Sequence, residues 1–368
     1  MRRPSSGLPS ALRARAARRA AARAASLLVA ALALASPASA QIACGDTLGP
    51  GGSFVLGGSL MCATASALTL VGPVKVDLGN HTLTCTSGGL TGLDLAGKGV
   101  SVRNGAIEGC DTGVAALGQG RHKIAELSIA DADVAGVLVS SPGNRISGVD
   151  VVDSAGEGFS VVAGLEAADK QQLDRCTATN VGIGVNLDAS TAGHRLRDIA
   201  IHTTSDSGLV VASNATRLER VNVSGTTLRG IDIPADDVRM KGAAVAETGS
   251  HGIAVDGARA QIQAAHVAAA AGRGFELGGA DAKLKDVSAR TSGSQGFLVF
   301  GARANLAKAR AISNTGAGIA LSGATDASIQ QSTARANGGF DASDGAPGCG
   351  TNVWKKNSFG ATNDACIQ

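Results

Sequence analysis

The sequence predicts an all-β fold, a right-handed parallel β-helix, and two observations carry this prediction. One is a glycine that returns at intervals of 21 to 26 residues, most often 22. The other is the alternation of apolar and polar residues around each glycine, as in Val221/Val223 and Ile231/Ile233, which is typical of short strands. The returning glycines are Gly92, Gly113, Gly136, Gly158, Gly184, Gly208, Gly230, Gly252, Gly274, Gly296, Gly318 and Gly339.

A fixed period of this length indicates stacked repeats. One repeat is too short to bury its own apolar residues. When repeats are stacked as coils, each strand pairs with its equivalents in the neighbouring coils, and the apolar columns fill a continuous interior. Parallel connections are almost always right-handed. Since each coil contains one recurring glycine, the sequence predicts about 12 coils. A β-propeller is the alternative fold, but its blades need about 40–45 residues each.

The residue that follows each glycine is predicted to point into the core. Apolar side chains fill this column, and we interpret the four Phe in it as core stacking rather than as a ligand-binding set. The column contains Val114, Val137, Phe159, Val185, Leu209, Ile231, Ile253, Phe275, Phe297, Ile319 and Phe340.

Residues 1–40 resemble a signal peptide rather than a part of the fold. They contain seven Arg and no acidic residue, then an apolar run and a small-residue cleavage pattern that ends at Ala40. We expect cleavage after Ala40 and a secreted or periplasmic location. Without these Arg the formal charge of +3 becomes −4, and no basic tract remains. The sequence therefore disfavours nucleic acid as a partner, and no other stretch could span a membrane.

The remaining chain divides into an N-terminal cap with a first coil (41–90), the β-helix coils (91–342) and a C-terminal cap (343–368). Six cysteines lie toward the two ends, which agrees with export. We predict three disulfides that close the ends of the solenoid, between Cys44 and Cys62, Cys85 and Cys110, and Cys349 and Cys366. Cys176 falls in an inward column and is predicted to be a buried structural thiol.

Two phrases of the sequence resemble a known superfamily. They are Val76-Asp-Leu-Gly-Asn-His-Thr-Leu83 and Val102-Arg-Asn-Gly-Ala-Ile-Glu-Gly109, the second followed by Thr112-Gly-Val114. Both resemble the secreted right-handed β-helix repeat proteins of the pectate-lyase-like superfamily. The resemblance implies the fold but no single activity, because the superfamily contains lyases, hydrolases, epimerases, adhesins and proteins without known activity. No catalytic motif of pectate lyases or polygalacturonases is present.

The column just before the glycine contains the strongest candidate site. Arg229, His251 and Arg273 follow one another there on successive coils, and Asp232 and Glu276 lie three residues beyond the two arginines. Such a patch could bind an acidic sugar through Arg229, Asp232 and Arg273, with His251 or Glu276 as acid or base. The alternative, which we favour, is local pairing of each Arg with its carboxylate, with His251 exposed.

A second set of charges predicts structure rather than function. Signs alternate from coil to coil in two adjacent columns, and opposite charges on neighbouring strands attract. We interpret these residues as a ladder that sets the register of the coils. The first column contains Asp174, Arg197, Glu219 and Lys241, and the second contains Arg175, Asp198 and Arg220.

The remaining candidates favour no cofactor. The pairs Asp131/Asp133 and Asp236/Asp237 could bind calcium, but neither has a complete set of oxygen ligands. The chain has no Tyr and one Trp, which disfavours a glycan groove lined by aromatic rings. We therefore predict a non-catalytic extracellular or envelope protein that binds a polysaccharide or a cell-surface protein. The alternative is a polysaccharide lyase or glycoside hydrolase that acts on an acidic polysaccharide.

Overall fold

A computed structural model describes residues 41–63, 66–164 and 167–367. The predicted signal peptide, residues 1–40, lies outside the described residues. The chain from Ala43 onward winds as a right-handed parallel β-helix made of two sheets. The predicted fold class is therefore confirmed. Within the described residues, no helix is long and apolar enough to cross a bilayer.

Among the described residues, sheet A contains 14 strands, one from each coil, all parallel and stacked in chain order. The predicted number of coils, about 12, was therefore too low. Ala67 stands in register with Gly92, so glycine spacing alone misses that coil. The strands are Asp46–Leu48, Leu68–Val71, Thr91–Ala96, Thr112–Ala116, Ala135–Val139, Glu157–Val161, Val185–Leu187, Leu209–Val211, Ile231–Ile233, Ile253–Val255, Phe275–Leu277, Phe297–Val299, Ile319–Leu321 and Ala342–Asp344.

Sheet B forms the rest of each coil and is also parallel. Its strands are Ser53–Val55, Leu60–Cys62, Lys75–Asp77, Thr82–Cys85, Ser101–Glu108, Lys123–Ala130, Arg145–Ser154, Gln172–Asp174, Thr177–Val181, Arg195–Thr204, Arg217–Thr226, Arg239–Thr248, Gln261–Ala268, Lys283–Lys285, Ser288–Arg290, Asn305–Ala307, Arg310–Ile312, Ser328–Gln330, Thr333–Arg335, Val353–Lys355 and Ser358–Phe359. One turn of 3₁₀ helix, Pro347–Cys349, lies in the C-terminal region.

A bend divides sheet B into two faces. At Asp198 and Arg220, for example, φ is +53° and +54°, and this left-handed conformation turns the strand sharply. We call the part of each coil before the bend face B1, as at Arg217 to Glu219. We call the part after it face B2, as at Val221 to Thr226.

The recurring glycine is required by the close stacking of the coils. A Cβ atom at Gly230 would lie 2.4 Å from Cγ1 of Val245 and 2.6 Å from the carbonyl oxygen of Gly252. No side chain fits there without moving the backbone of the next coil. The following residue, Ile231, is fully buried, which places the predicted column in the core.

The core column contains Phe275 and Phe297, whose rings stack with centroids 4.7 Å apart. The prediction that the residue after each glycine lies in the core was wrong for Phe340, which is 47% exposed. Ile319 pairs with Ala342, so Asp341, not Gly339, occupies the glycine position of the last coil. The Asp341 carboxylate accepts hydrogen bonds from the backbone of the C-terminal segment, which explains why this coil departs from the repeat.

All three predicted disulfides are present, between Cys44 and Cys62, Cys85 and Cys110, and Cys349 and Cys366. Cys176 is a free thiol without solvent exposure. Burial raises its pKa to about 11, so it remains protonated at neutral pH and is a poor nucleophile. The prediction that this thiol is buried is confirmed.

A row of buried polar side chains stabilises the turns that lead into sheet B. His122, Asn144, Gln171 and His194 each accept a hydrogen bond from a backbone N–H of the preceding coil, at 2.8–3.2 Å. Burial lowers the pKa of His122 and lowers that of His194 to about 4. Both imidazoles are therefore neutral at pH 7, and the row replaces hydrogen bonds that water would otherwise make.

Candidate functional site

The outer surface of sheet A brings the predicted site residues together. Arg229, His251 and Arg273 lie two residues before the start of three consecutive strands of the sheet. Asp232 and Glu276 occupy the outward position of the first and third of these strands, with Ala254 between them. Five side chains from three coils therefore share one patch, which we call the sheet A cluster.

Both local ion pairs of the favoured interpretation are present. Arg229 Nη1 lies 2.7 Å from Asp232 Oδ1. Arg273 Nη1 donates to Glu276 Oε2. Each Arg therefore has a partner three residues along its own coil, and the like charges of neighbouring coils are compensated.

His251 is not simply exposed, as the favoured interpretation had it. Its side chain is 21% exposed, and its Nε2 lies 3.0 Å from Glu276 Oε2. Its Nδ1 accepts the backbone N–H of Arg273 at 3.2 Å. The difference arises because stacking places the His251 ring against the backbone of the next coil, at Gly272 and Arg273. Nδ1 is thus the unprotonated nitrogen, and Nε2 donates to Glu276.

The pKa of His251 is lowered by burial, although the nearby Glu276 carboxylate acts in the opposite direction. The imidazole is therefore neutral at pH 7, and both ring nitrogens already have hydrogen-bond partners. Glu276 is 8% exposed and binds both His251 and Arg273 through the same oxygen. The two residues predicted as acid or base are thus engaged with the protein itself.

Asp256 belongs to this patch although the sequence did not reveal it. Its Oδ2 lies 3.8 Å from Arg229 Nη1, and its side chain is 45% exposed. Burial raises its pKa, against the attraction of Arg229. Pro234 and Gly278 occupy the equivalent positions of the adjacent coils, so the column shows no charge pattern from which Asp256 could be predicted.

An exposed aromatic ring stands beside Asp256. Phe300 is 41% exposed, and Gly278 leaves open the space next to it. A Cβ atom at Gly278 would lie 2.7 Å from Cε2 of Phe300 and 2.8 Å from Oδ1 of Asp256. The argument against aromatic rings at a sugar site, which rested on composition, therefore does not hold for this patch.

The other charged candidates have structural partners. Arg197 pairs with Asp174, and Arg220 binds Asp198 with Nη2 at 2.8 Å from Oδ2, as the ladder prediction requires. Glu219 instead pairs with Arg195, at 3.2 Å.

The pairs considered for calcium differ in their surroundings. Asp236 and Asp237 both bind Arg259. In the part of the chain that the structure describes, no three His, Cys, Asp or Glu side chains converge as metal ligands would, those around Asp131 and Asp133 included.

Comparison with known proteins supports the fold. The family model described as "Right handed beta helix region" matches residues 229–368. Among solved structures, the A-module of the mannuronan C-5 epimerase AlgE4 of Azotobacter vinelandii is 15% identical, with a TM-score of 0.55 over 81% of this chain and 89% of that chain. The periplasmic alginate epimerase AlgG is 11% identical, with a TM-score of 0.53 over 85% and 78% of the two chains.

No curated protein matches the sequence. At these identities the structural likeness concerns the backbone alone. The sheet order, the glycine column and the matched family model agree on one architecture. The chain therefore has the right-handed parallel β-helix fold.

Proposed function

We propose that this protein is an exported polysaccharide-binding protein that holds an acidic glycan on the outer surface of sheet A without cleaving it. The observation that carries the proposal is the exposed ring of Phe300 beside the sheet A cluster and Asp256. A sugar ring stacks on an aromatic face while its hydroxyl and carboxylate groups hydrogen-bond to fixed polar side chains. The patch offers both kinds of contact side by side.

A binding role is favoured over catalysis by the state of His251 and Glu276. A general base must reach a substrate proton within hydrogen-bond distance. Both nitrogens of His251 are occupied, and Glu276 is largely buried and holds His251 and Arg273. Substrate would have to displace these contacts before either residue could accept a proton. The network instead fixes the orientation of Arg229 and Arg273 for binding.

Three further facts support export and a polysaccharide ligand. Three disulfides fit an oxidising compartment. The N-terminal 40 residues have the pattern of a signal peptide. The structural neighbours with TM-scores above 0.5 include two proteins named as epimerases of mannuronan and of alginate, and both names denote polysaccharides.

The second candidate function is a polysaccharide lyase or glycoside hydrolase that acts on an acidic polysaccharide, and Asp256 favours it. Its raised pKa and its exposure suit a proton donor. It lies beside Arg229, which could neutralise a substrate carboxylate. In this reading Asp256 acts as acid, and His251 or Glu276 acts as base after substrate has separated them.

The binding proposal is tested with two matched variants. Binding of the purified protein to a set of acidic and neutral polysaccharides is measured by affinity electrophoresis. We expect Phe300→Ala to weaken binding about tenfold, because one stacked ring contributes roughly 1–2 kcal/mol. Phe340→Ala removes a similarly exposed ring two coils away and should leave binding unchanged. Equal loss in both variants, or in neither, would remove the sheet A cluster as the binding site.

A further inference from the structure

We propose that a second, cation-lined site on face B2 binds the carboxylate groups of a linear anionic polysaccharide. This site goes beyond the proposed function because it lies on the other sheet and shares no residue with the sheet A cluster. It is a surface cavity of about 600 Å³ along the bend between faces B1 and B2 of the C-terminal coils. Arg290, Lys308 and Arg310 line it.

These three cations are exposed, and none of them forms an ion pair with any other described residue. The one acidic residue of the cavity lining is Asp286. Three positive charges against one carboxylate leave the cavity positive, although the chain from residue 41 onward is acidic overall. Asp286 and Lys308 are in register on adjacent coils, but no carboxylate of the lining compensates Arg290 and Arg310, so an anionic ligand would find uncompensated positive charge there.

The register of the coils sets the spacing of these charges. Arg290 extends from one coil, and Lys308 and Arg310 extend from the next. Strands of adjacent coils lie about 4.8 Å apart, which is close to the length of one sugar residue in an extended chain. A polyuronate that runs along the stack can therefore contact the cations of both coils.

The polar side chains of the cavity suit a sugar. His266 Nδ1 and Ser288 Oγ lie 2.8 Å apart and hydrogen-bond to each other, which fixes the orientation of the imidazole. Among the described residues its Nε2 has no hydrogen-bond partner, so it is free to contact a hydroxyl or a carboxylate. Gln331 and Thr333 add further hydrogen-bonding groups on the neighbouring coil.

A glycan fits this cavity better than a nucleic acid. Binding of single-stranded nucleic acid relies on aromatic side chains on which bases stack, and no Phe or Trp lines the cavity. A cavity that combines exposed cations with hydrogen-bonding side chains matches a polymer whose charges are carboxylates on hydroxyl-rich rings.

The test compares two double variants of the full chain. Arg290→Ala/Arg310→Ala removes two unpaired cations of the cavity. Arg197→Ala/Arg220→Ala removes two cations from the paired ladder of the middle coils, so the net charge changes equally. Binding of oligogalacturonate is measured by isothermal titration calorimetry at low and high salt. We expect the first variant to lose one of two binding events or to weaken it about tenfold, and the second to behave as wild type.

Three outcomes would overturn the proposal. Equal weakening in both double variants would show that net charge alone is sensed. Unchanged binding in the cavity variant would exclude the cavity. Tighter binding of a single-stranded DNA oligonucleotide than of oligogalacturonate would assign the cavity to another polymer. Phe300→Ala separates the two proposals, because it should affect only the sheet A binding event and leave the event at the cavity intact.

Discussion

The middle coils and the C-terminal coils are built from the same repeat, yet the cations next to the bend of sheet B differ in their partners. In the middle coils Arg197 and Arg220 pair with acids of the preceding coil, and His194 is hydrogen-bonded inside the turn. In the C-terminal coils Arg303 also pairs with an acid of the preceding coil, Asp281, at 2.7 Å, but Arg290 and Arg310 on face B2 have no such partner among the described residues. The comparison teaches that partnered polar groups set the register of the stack, whereas unpartnered cations remain available to a ligand.

The largest expected effect concerns His194 in the middle coils. Its folded-state pKa is about 4, against an ordinary value near 6.5. The unfolded chain therefore binds more protons between these values, and stability should fall as pH decreases from about 6.5 to about 4, by about 3 kcal/mol. Denaturant unfolding at a series of pH values measures this loss.

His194→Asn is the matched variant, because Asn144 fills the equivalent place two coils earlier. We expect the pH slope to become shallower but not to vanish, since burial also lowers the pKa of His122. An unchanged slope in the variant would contradict the assignment of acid sensitivity to this row.

The next largest effect is expected at the sheet A cluster, between the two regions. Glu276→Ala would leave Arg273 and His251 without their shared acceptor, and we expect a loss of about 1–3 kcal/mol in the free energy of unfolding. Glu276→Gln keeps an acceptor and should lose less. Thermal and denaturant unfolding of both variants would check the order, and equal losses would mean that the charge, not the hydrogen bonds, matters.

A smaller effect is expected for the ladder. A double-mutant cycle with Arg220→Ala and Asp198→Ala should give a small favourable coupling that disappears as salt rises, because both side chains are exposed. The cycle is measured by denaturant unfolding at low and high salt. A coupling that persists at high salt would indicate that the ladder does more than set register.

The smallest effect on stability is expected in the C-terminal coils. Arg310→Ala removes a cation that has no acidic partner within the described chain, so unfolding should be unchanged or slightly less favourable at low salt, where repulsion from Lys308 is strongest. A clear loss of stability in Arg310→Ala would show that this cation has a structural role and would weaken the contrast between the two regions.

The fold could be predicted from the sequence because its main constraint is local and repeats. Gly230 and its equivalents are required by a contact with the next coil, so the same residue returns at the same spacing. The last coil could not be predicted in this way, because Asp341 occupies the glycine position and binds the C-terminal segment. Phe340 was consequently assigned to the core although it is exposed.

The candidate site was only partly predictable. Arg229, His251 and Arg273 share one column and could be recognised together. Asp256 and Phe300 lie in a column whose members have nothing in common, so only the three-dimensional stack reveals that they meet over Gly278.

The cavity on face B2 could not be predicted from the sequence, for a related reason. Lys308 lies at the bend, with φ of +56°, and Arg290 and Arg310 lie in different columns. Column patterns detect charges that alternate, but not charges that a turn brings together.

The most direct test of the account is prolonged incubation of the purified protein with a polyuronate, followed by proton nuclear magnetic resonance of the polymer. This spectrum reports new chain ends, unsaturated ends and changes in sugar configuration together. The account predicts that the protein binds the polymer and leaves its spectrum unchanged. Any such product that forms with wild-type protein and is lost in Asp256→Asn would contradict it and establish the enzymatic alternative.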